Sequence, residues 1–123
     1  RSTLFPYTTL FRSQPLGGFA LAAAPAIVQF VGGTPADAAN YSLEMYEICI
    51  GENNIFTLPA FNFRGSPTGI DIIKIAESGI TPVLDTGAAH KVAGKGQVGA
   101  GIVRMPSEAF ISAAEAYVEK YLN

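Results

Sequence analysis

The segment over residues 35–50 is apolar apart from one narrow polar stripe. The polar side chains of that stripe recur at spacings of three, four and three residues and are Asp37, Asn40, Glu44 and Glu47. Such spacing keeps them on one face of a helix. Thr34 and Pro35 are typical of a helix N-cap and first helical position, and Gly51 is typical of the residue that ends a helix. We therefore predict a helix over residues 35–50 that protein covers on most sides.

A second amphipathic pattern lies near the end of the sequence. Its apolar positions recur at i, i+1, i+4, i+7, i+8 and i+11 and are Phe110, Ile111, Ala114, Tyr117, Val118 and Tyr121. This spacing predicts an amphipathic helix, and Ser107 is suited to cap it. A shorter helix is predicted between the capping-box pattern from Thr68 to Asp71 and its end at Gly79.

Short extended segments separate these helices. Residues 53–64 are interrupted by Pro59, which predicts an edge strand because proline cannot donate to a central one. Residues 80–84 predict a buried strand that ends at Asp85, and residues 98–104 predict a second strand. Several helices, a few short strands and glycine-rich connecting loops together predict the α+β fold class.

The composition argues against several classes of protein. Hydrophobic residues make up 49% and charged residues 15% of the 123 residues, which excludes an intrinsically disordered chain. A net charge of −2 without a basic run argues against nucleic-acid binding. No apolar run reaches the ~20 residues of a membrane span. Cys49 is the single cysteine, which excludes an internal disulfide and a multi-cysteine zinc site, and its apolar neighbours favour packing over nucleophilic chemistry.

Residues 1–13 differ in character from the rest of the chain. They have no helical period, and Leu-Phe occurs twice among Ser, Thr and Arg. We interpret them as the translation of a sequencing-adaptor oligonucleotide, with a natural edge strand as the alternative. The lack of a starting Met and the proline inside the apolar run disfavour a signal peptide. The expected domain is residues 14–123, a C-terminal fragment of something longer.

The candidate chemistry concentrates in the glycine-rich residues 85–101, which follow a predicted strand. Glycines let backbone N–H groups approach an anion closely, and Lys91 and Lys95 add positive charge. A surface turn whose glycines only satisfy turn geometry fits equally well. Gly94 to Gly99 also match G-x-G-x-x-G, but a dinucleotide site should open a helix there, whereas a strand is predicted.

The tripeptide Asp85-Thr86-Gly87 matches the catalytic triplet of retroviral-type aspartic proteases, in which two carboxylates share a proton. Those proteases are small all-β domains, whereas this chain predicts at least two helices. We therefore prefer a strand followed by an ordinary turn at this position.

Two further residues suit an anionic substrate. His90 is the single histidine, so a metal site is not predicted; it suits proton transfer or phosphate contact, and a buried structural role is the alternative. Arg64 precedes a glycine turn and a predicted helix start, where it can hold a carboxylate or phosphate through two hydrogen bonds. The alternative for Arg64 is a surface ion pair.

Several short motifs then follow one another in a recognisable order. They are residues 19–25, 31–35, 68–71, 80–83, 86–91 and 96–104. This series resembles the C-terminal part of the YlbE/YahG-like bacterial proteins, one branch of which is the large subunit of anaerobic oxamate carbamoyltransferase. The resemblance covers nearly all of residues 17–121, and residues 69–104 are its specific part.

The resemblance implies a cytoplasmic protein that works with partner subunits in allantoin degradation and nitrogen metabolism. The implied reaction is carbamoyl transfer between carbamoyl phosphate and oxamate, giving oxalurate and phosphate. No residue role follows from the resemblance, so the roles come from the chemistry of the loops. We expect His90 as the catalytic residue, small anionic substrates, and no cofactor, metal ion, nucleic acid or membrane. The residues expected to bind substrate are Arg64, Thr68, Gly69, Asp85, Thr86, Gly87, Lys91, Lys95, Gln97 and Arg104.

Two functions remain open from the sequence. In the first, residues 85–101 form an anion site together with Arg64 and the helix start at Thr68, so that Thr86 and Gly69 are neighbours around one cavity. In the second, the fragment is a non-catalytic assembly module whose apolar helices need a partner.

Overall fold

The computed structural model of the chain describes residues 16–95 and 97–122, with the backbone alone at 16, 17, 89 and 97. The interpretation of residues 1–13 as an adaptor translation therefore lies outside the described residues. In chain order the elements are α1 (Leu16–Phe19), a 3₁₀ turn (Leu21–Ala23), α2 (Pro25–Phe30), α3 (Pro35–Ile48), β1 (Cys49–Leu58), a second 3₁₀ turn (Pro59–Phe61), β2 (Arg64–Ile70), α4 (Ile72–Ser78), β3 (Val83–Ala89), β4 (Gln97–Arg104) and α5 (Ser107–Tyr121).

The helix α3 begins where the sequence predicts. Thr34 and Asp37 form a reciprocal capping box: the Asp37 N–H donates to the Thr34 hydroxyl at 3.2 Å, and the Thr34 N–H donates to the Asp37 carboxylate at 2.7 Å. Its end differs slightly from the prediction, because Cys49 already takes extended dihedral angles and opens β1. Strand pairing therefore ends the helix at Ile48, two residues before its predicted end at Ile50.

The strands form two antiparallel hairpins, which confirms the α+β class. In the first hairpin, β1 pairs with β2 from Cys49 opposite Ile70 to Leu58 opposite Arg64, with an irregular stretch between Glu52 and Thr57. In the second hairpin, β3 pairs with β4 from Val83 opposite Arg104 to Ala89 opposite Gln97. The predicted strand over residues 98–104 is thus confirmed, and its partner is the strand that contains Asp85.

The predicted cap at Thr68 is wrong. Thr68 lies in β2, where it is opposite Gly51, and α4 is capped instead by Asp71, whose carboxylate accepts from the Ile73 N–H at 2.9 Å. Pairing with β1 forms the backbone hydrogen bonds of Thr68–Ile70 that a helix would otherwise have formed. The non-local strand partner therefore overrides the local capping pattern. The predicted end at Gly79 is confirmed, with φ at +73°.

The strand predicted over residues 80–84 is displaced along the chain. It begins at Val83 and continues through Asp85 to Ala89, so the loop between β3 and β4 covers only residues 90–96. The glycine-rich β4 supplies the pairing that extends it. At the last helix, Ser107 is the first helical residue and Pro106 occupies the cap position without a side-chain bond, so Ser107 is not the cap.

The core lies around α3 and contains residues from α1 through β3. Its buried members are Phe19, Leu21, Val28, Ala38, Met45, Ile48, Cys49, Ile75 and Val83. The predicted apolar stripe of α5 forms, but only Ala114 on it is buried, and Tyr121 is 62% exposed. The described residues therefore leave most of that stripe uncovered. None of the helices described over residues 16–95 and 97–122 has the length and apolar character that crossing a bilayer demands.

Candidate functional site

The first hairpin is fastened to α3 by Arg64. Its guanidinium lies 3.7 Å from the centre of the Tyr46 ring, and its Nε donates to the Glu52 carboxylate at 2.6 Å. The Tyr46 hydroxyl donates to the Gly65 carbonyl, and burial raises the pKa of Tyr46. Arg64 therefore has the surface ion pair that was its alternative interpretation, with a cation–π contact in addition.

The second hairpin contacts the same helix through Arg104, and here the paired glutamate also belongs to α3, whereas Glu52 belongs to β1. Arg104 donates through Nη2 to the Glu44 carboxylate, and its guanidinium lies 5.6 Å from the centre of the Tyr41 ring. We call each arrangement of an arginine, an α3 tyrosine and a glutamate an arginine clamp. Both clamped arginines are nearly half exposed, at 47% for Arg64 and 44% for Arg104.

The structure does not bring Thr86 and Gly69 together. Gly69 lies against the Ile50 side chain, just beyond the C-terminal end of α3. Thr86 is opposite Gly101, which lines a cavity with Asp37 from the first turn of α3. The two therefore lie towards opposite ends of a helix of 14 residues, roughly 20 Å long. The expectation failed because Thr68 and Gly69 belong to a strand and not to the start of α4.

Two adjoining cavities lie between α2, the Gly32–Gly33 turn and the second hairpin, and together we call them the hairpin cleft. One has a volume of about 300 Å³ and is lined by Asp85; the other has about 500 Å³ and is lined by Asp37 and Tyr41. Ala100 of β4 lines both. Asp85, which is one of the expected binding residues, therefore lines a concave site.

The two carboxylates of the hairpin cleft have pKa values shifted in opposite directions. Burial raises the pKa of Asp85. The backbone N–H and then the hydroxyl of Thr34 lower the pKa of Asp37 by donating hydrogen bonds to its charged form. Carboxylates repel anions, so the cleft by itself does not suit phosphate. Among the described residues, no group of three or more His, Cys, Asp or Glu is placed to hold a metal ion.

The loop between β3 and β4 carries the remaining charged candidates. The Val92 N–H donates to His90 Nδ1 at 2.9 Å, so a neutral imidazole carries its proton on Nε2. Lys91 and Lys95 are exposed, and neither forms an ion pair with any described residue. Gly94 has φ at +81°, a conformation that favours glycine in this turn. The loop therefore presents one N–H donor and two ammonium groups on a short turn.

The other expected binding residues lie around this hairpin. Thr86 donates its hydroxyl to the Gly101 carbonyl at 3.2 Å, and Gly87 is exposed in β3. The side chain of Gln97 lies outside the described part of the chain. Strand β4 begins at Gln97, inside the G-x-G-x-x-G match at residues 94–99, so the helix that a dinucleotide site requires does not form there.

Several interacting residues were missed or differently interpreted from the sequence. The sequence does not predict the contacts of Tyr41 and Tyr46 with arginines, because stacking on an arginine depends on tertiary geometry. Ser66 is fully buried, and its hydroxyl finds no hydrogen-bond partner among the described residues; no sequence signal marks it. Cys49 is buried, and burial raises the pKa of its thiol to about 11, which agrees with an inert packing role.

Comparison with known proteins gives close relatives but no matching family model. The chain is 49% identical over 106 residues to the uncharacterized protein YahG of Escherichia coli (strain K12), covering 86% of this chain and 22% of YahG. It is 46% identical over 105 residues to the oxamate carbamoyltransferase subunit AllG of the same organism, covering 85% of this chain and 25% of AllG.

A solved structure agrees with these relatives. The fold matches the crystal structure of a conserved protein of unknown function from Enterococcus faecalis V583 with a TM-score of 0.72 and 52% identity, over 84% of this chain and 25% of that one. The chain spans about a quarter of the length of the proteins it matches. Identities of 46% and 49% over about 85% of the chain support a relation to the YahG/AllG-like proteins.

Proposed function

We propose that this chain is a segment of a cytoplasmic carbamoyltransferase subunit that acts on oxamate or oxalurate with carbamoyl phosphate or phosphate. The similarity to AllG, which is named as an oxamate carbamoyltransferase subunit, supports this reaction class and implies partner subunits. Within the segment, the proposed contribution to the site is the β3–β4 loop, which carries His90, Lys91 and Lys95. Residues beyond this chain complete the site.

The reaction requires the groups that this loop offers. The amide nitrogen of oxamate attacks the carbamoyl carbon, the bond from that carbon to the phosphate oxygen breaks, and the phosphate leaves with the electron pair. The nitrogen gives up its proton, which the departing phosphate can accept. Both substrates are anions, so two ammonium groups lower the cost of bringing them together. An N–H donor aimed at the carbamoyl oxygen stabilises the charge that develops there.

The observation that carries this proposal is the hydrogen bond from the Val92 N–H to His90 Nδ1. It leaves Nε2–H of the neutral ring as a donor in the same turn as Lys91 and Lys95. We assign carbonyl polarisation to His90 and phosphate contact to the two lysines. Arg64 and Arg104 would have to leave Glu52 and Glu44 to bind a substrate carboxylate, so we assign them a lesser part.

Anion affinity tests this assignment. Inorganic phosphate is titrated into the 123-residue chain by calorimetry at low ionic strength. We expect Lys91→Gln and Lys95→Gln each to weaken binding about threefold to fivefold, the scale of one partly solvated charge contact. Lys120→Gln removes the same charge from α5 and should leave the affinity unchanged. Equal weakening by all three variants would show a net-charge effect and contradict a site in the loop.

The isolated chain should not catalyse the reaction. Carbamoyl transfer between two anions needs a closed site from which water is excluded. The β3–β4 loop is exposed at Lys91 and Lys95, and the chain spans about a quarter of its relatives. Oxalurate formation from oxamate and carbamoyl phosphate is the measurement, and turnover by the purified chain alone would contradict the shared-site proposal.

The second candidate function is assembly within a larger protein. It is favoured by the apolar end of the first hairpin, where Ile55 is 78%, Phe56 55% and Phe63 69% exposed. Phe63 also has φ at +60°, a strained conformation for a bulky residue. If the chain associates through this end, Phe56→Ser should reduce the concentration dependence of its sedimentation coefficient. Phosphate affinity unaffected by Lys91→Gln and Lys95→Gln, together with such association, would favour assembly over the anion site.

A further inference from the structure

An apolar groove runs between α4 and α5, and no residue of either arginine clamp lines it. It has a volume of about 390 Å³. Its apolar lining consists of Ile73, Ala76, Ile111, Ala114 and Val118. Its remaining lining residues are the glutamates Glu77, Glu115 and Glu119. We call this surface the α4–α5 groove.

The three glutamates give the groove a negative edge. All three are exposed, and the ion pairs among the described residues, Arg64 with Glu52 and Arg104 with Glu44, involve none of them. The basic residue in the last turn of α5, Lys120, lies over the Tyr121 ring at 5.2 Å. The described part of the chain therefore leaves the charge of the groove uncompensated.

We propose that the α4–α5 groove binds an amphipathic helix of a partner protein, with lysine or arginine beside its apolar stripe. A third helix laid between two packed helices buries its apolar ridge in their groove. Ile111 and Val118 are 43% and 38% exposed, so they offer apolar area that such a ridge covers. Basic residues on either side of the ridge then meet the three carboxylates.

Charge argues against a second copy of the chain as the occupant. A second copy of the chain that docked α5 into the groove would bring Glu115 and Glu119 towards the same glutamates of the first copy. Like charges at close range are destabilising, so self-association through this surface is disfavoured. The sequence of residues 1–13 contains two arginines but no helical period, so this segment is also a poor occupant.

This inference deepens the assembly function proposed above, because it names the chemistry of one partner, and it is independent of the β3–β4 loop. Binding at the α4–α5 groove alone decides it. Association through Phe56 of the first hairpin can therefore be present or absent without deciding it.

A synthetic helix tests the proposal. The probe is a fluorescein-labelled peptide of ~18 residues, about five turns, with leucine at helical spacing and lysine beside the leucine stripe. Its anisotropy is followed as the 123-residue chain is added. We expect saturable binding that weakens about fivefold in Glu115→Gln/Glu119→Gln, and further at high salt. Glu47→Gln/Glu108→Gln, which removes two exposed carboxylates outside the groove, is the matched control and should bind as the parent chain does.

A second peptide and a second variant test the charge argument and the groove separately. A peptide with glutamate in place of every lysine should not bind, and Val118→Asp should abolish binding while circular dichroism shows an unchanged helix content. Equal binding of the lysine and glutamate peptides would overturn the charge argument. Failure of the lysine peptide to bind a folded chain would overturn the proposal as a whole.

Discussion

Both hairpins contact α3 through an arginine that lies on a tyrosine ring, but they differ at their outer ends. Each uses an arginine that lies on an α3 tyrosine and pairs with a glutamate, Arg64 on Tyr46 and Arg104 on Tyr41. The end of the first hairpin exposes apolar side chains. The end of the second is a glycine-containing turn with a histidine and two lysines.

The contacts that attach a hairpin to α3 are distinct from the residues at its outer end, where binding is proposed. The arginine–tyrosine contact with α3 is common to both hairpins, so it carries no information on what either hairpin binds. The outer ends do carry that information, because apolar surface suits another protein whereas cationic groups suit an anion. We propose that the second hairpin contacts anions and that the first hairpin takes part in assembly.

The largest expected effect comes from glycines at which the hairpins make close backbone contacts. A Cβ at Gly18 would lie 1.8 Å from the Val83 carbonyl oxygen, and a Cβ at Gly65 would lie 2.2 Å from that of Asn53. Alanine at either position should lower the free energy of unfolding by at least ~2 kcal/mol, because backbone atoms must shift. Gly51→Ala, which meets nothing within 4 Å, should stay within ~0.5 kcal/mol in the same denaturant titration.

The clamps should contribute less, and unequally. Arg64→Gln should lower the free energy of unfolding by about 1 kcal/mol, and Arg104→Gln by less, because these groups are partly solvated and only Arg64 lies close to its ring. A double-mutant cycle with Tyr46→Leu and Tyr41→Leu measures each coupling. Equal couplings would mean that the 3.7 Å and 5.6 Å contacts do not determine the difference between the two clamps.

Local signals predicted the elements whose ends are set locally. Thr34 marks the start of α3 correctly, and Gly79 marks the end of α4, because a cap depends on a few adjacent residues. Thr68 misled the prediction because its strand partner lies 17 residues earlier, at Gly51. The extension of β3 beyond Asp85 likewise depends on pairing with β4.

The candidate site was predictable only in part. The sequence identified His90, Lys91 and Lys95 as neighbours because they lie in one short turn. It could not predict that Arg64 and Arg104 pair with Glu52 and Glu44, since those contacts join separate elements. The expected approach of Thr86 to Gly69 failed for the same reason.

The smallest expected effect is the pH dependence contributed by Asp85. Burial raises the pKa of its folded-state carboxyl, so the folded protein holds this proton more tightly than the unfolded chain. The contribution of Asp85 to stability should therefore fall as the pH rises from ~4, the usual aspartate pKa, through the folded-state pKa. Asp85→Asn should gain stability relative to the parent chain over that window. A constant difference between the two from acidic to neutral pH would contradict the burial of this carboxyl.

The difference between the two hairpin ends is tested most directly by residue-resolved NMR. Carbamoyl phosphate is added to the ¹⁵N-labelled 123-residue chain, and amide shifts are followed at both ends. The account predicts saturable shifts at His90, Lys91 and Lys95 and unchanged positions for Phe56 and Phe63. Shifts that are equal at both ends, or confined to the first hairpin, would contradict the assignment of anion binding to the second.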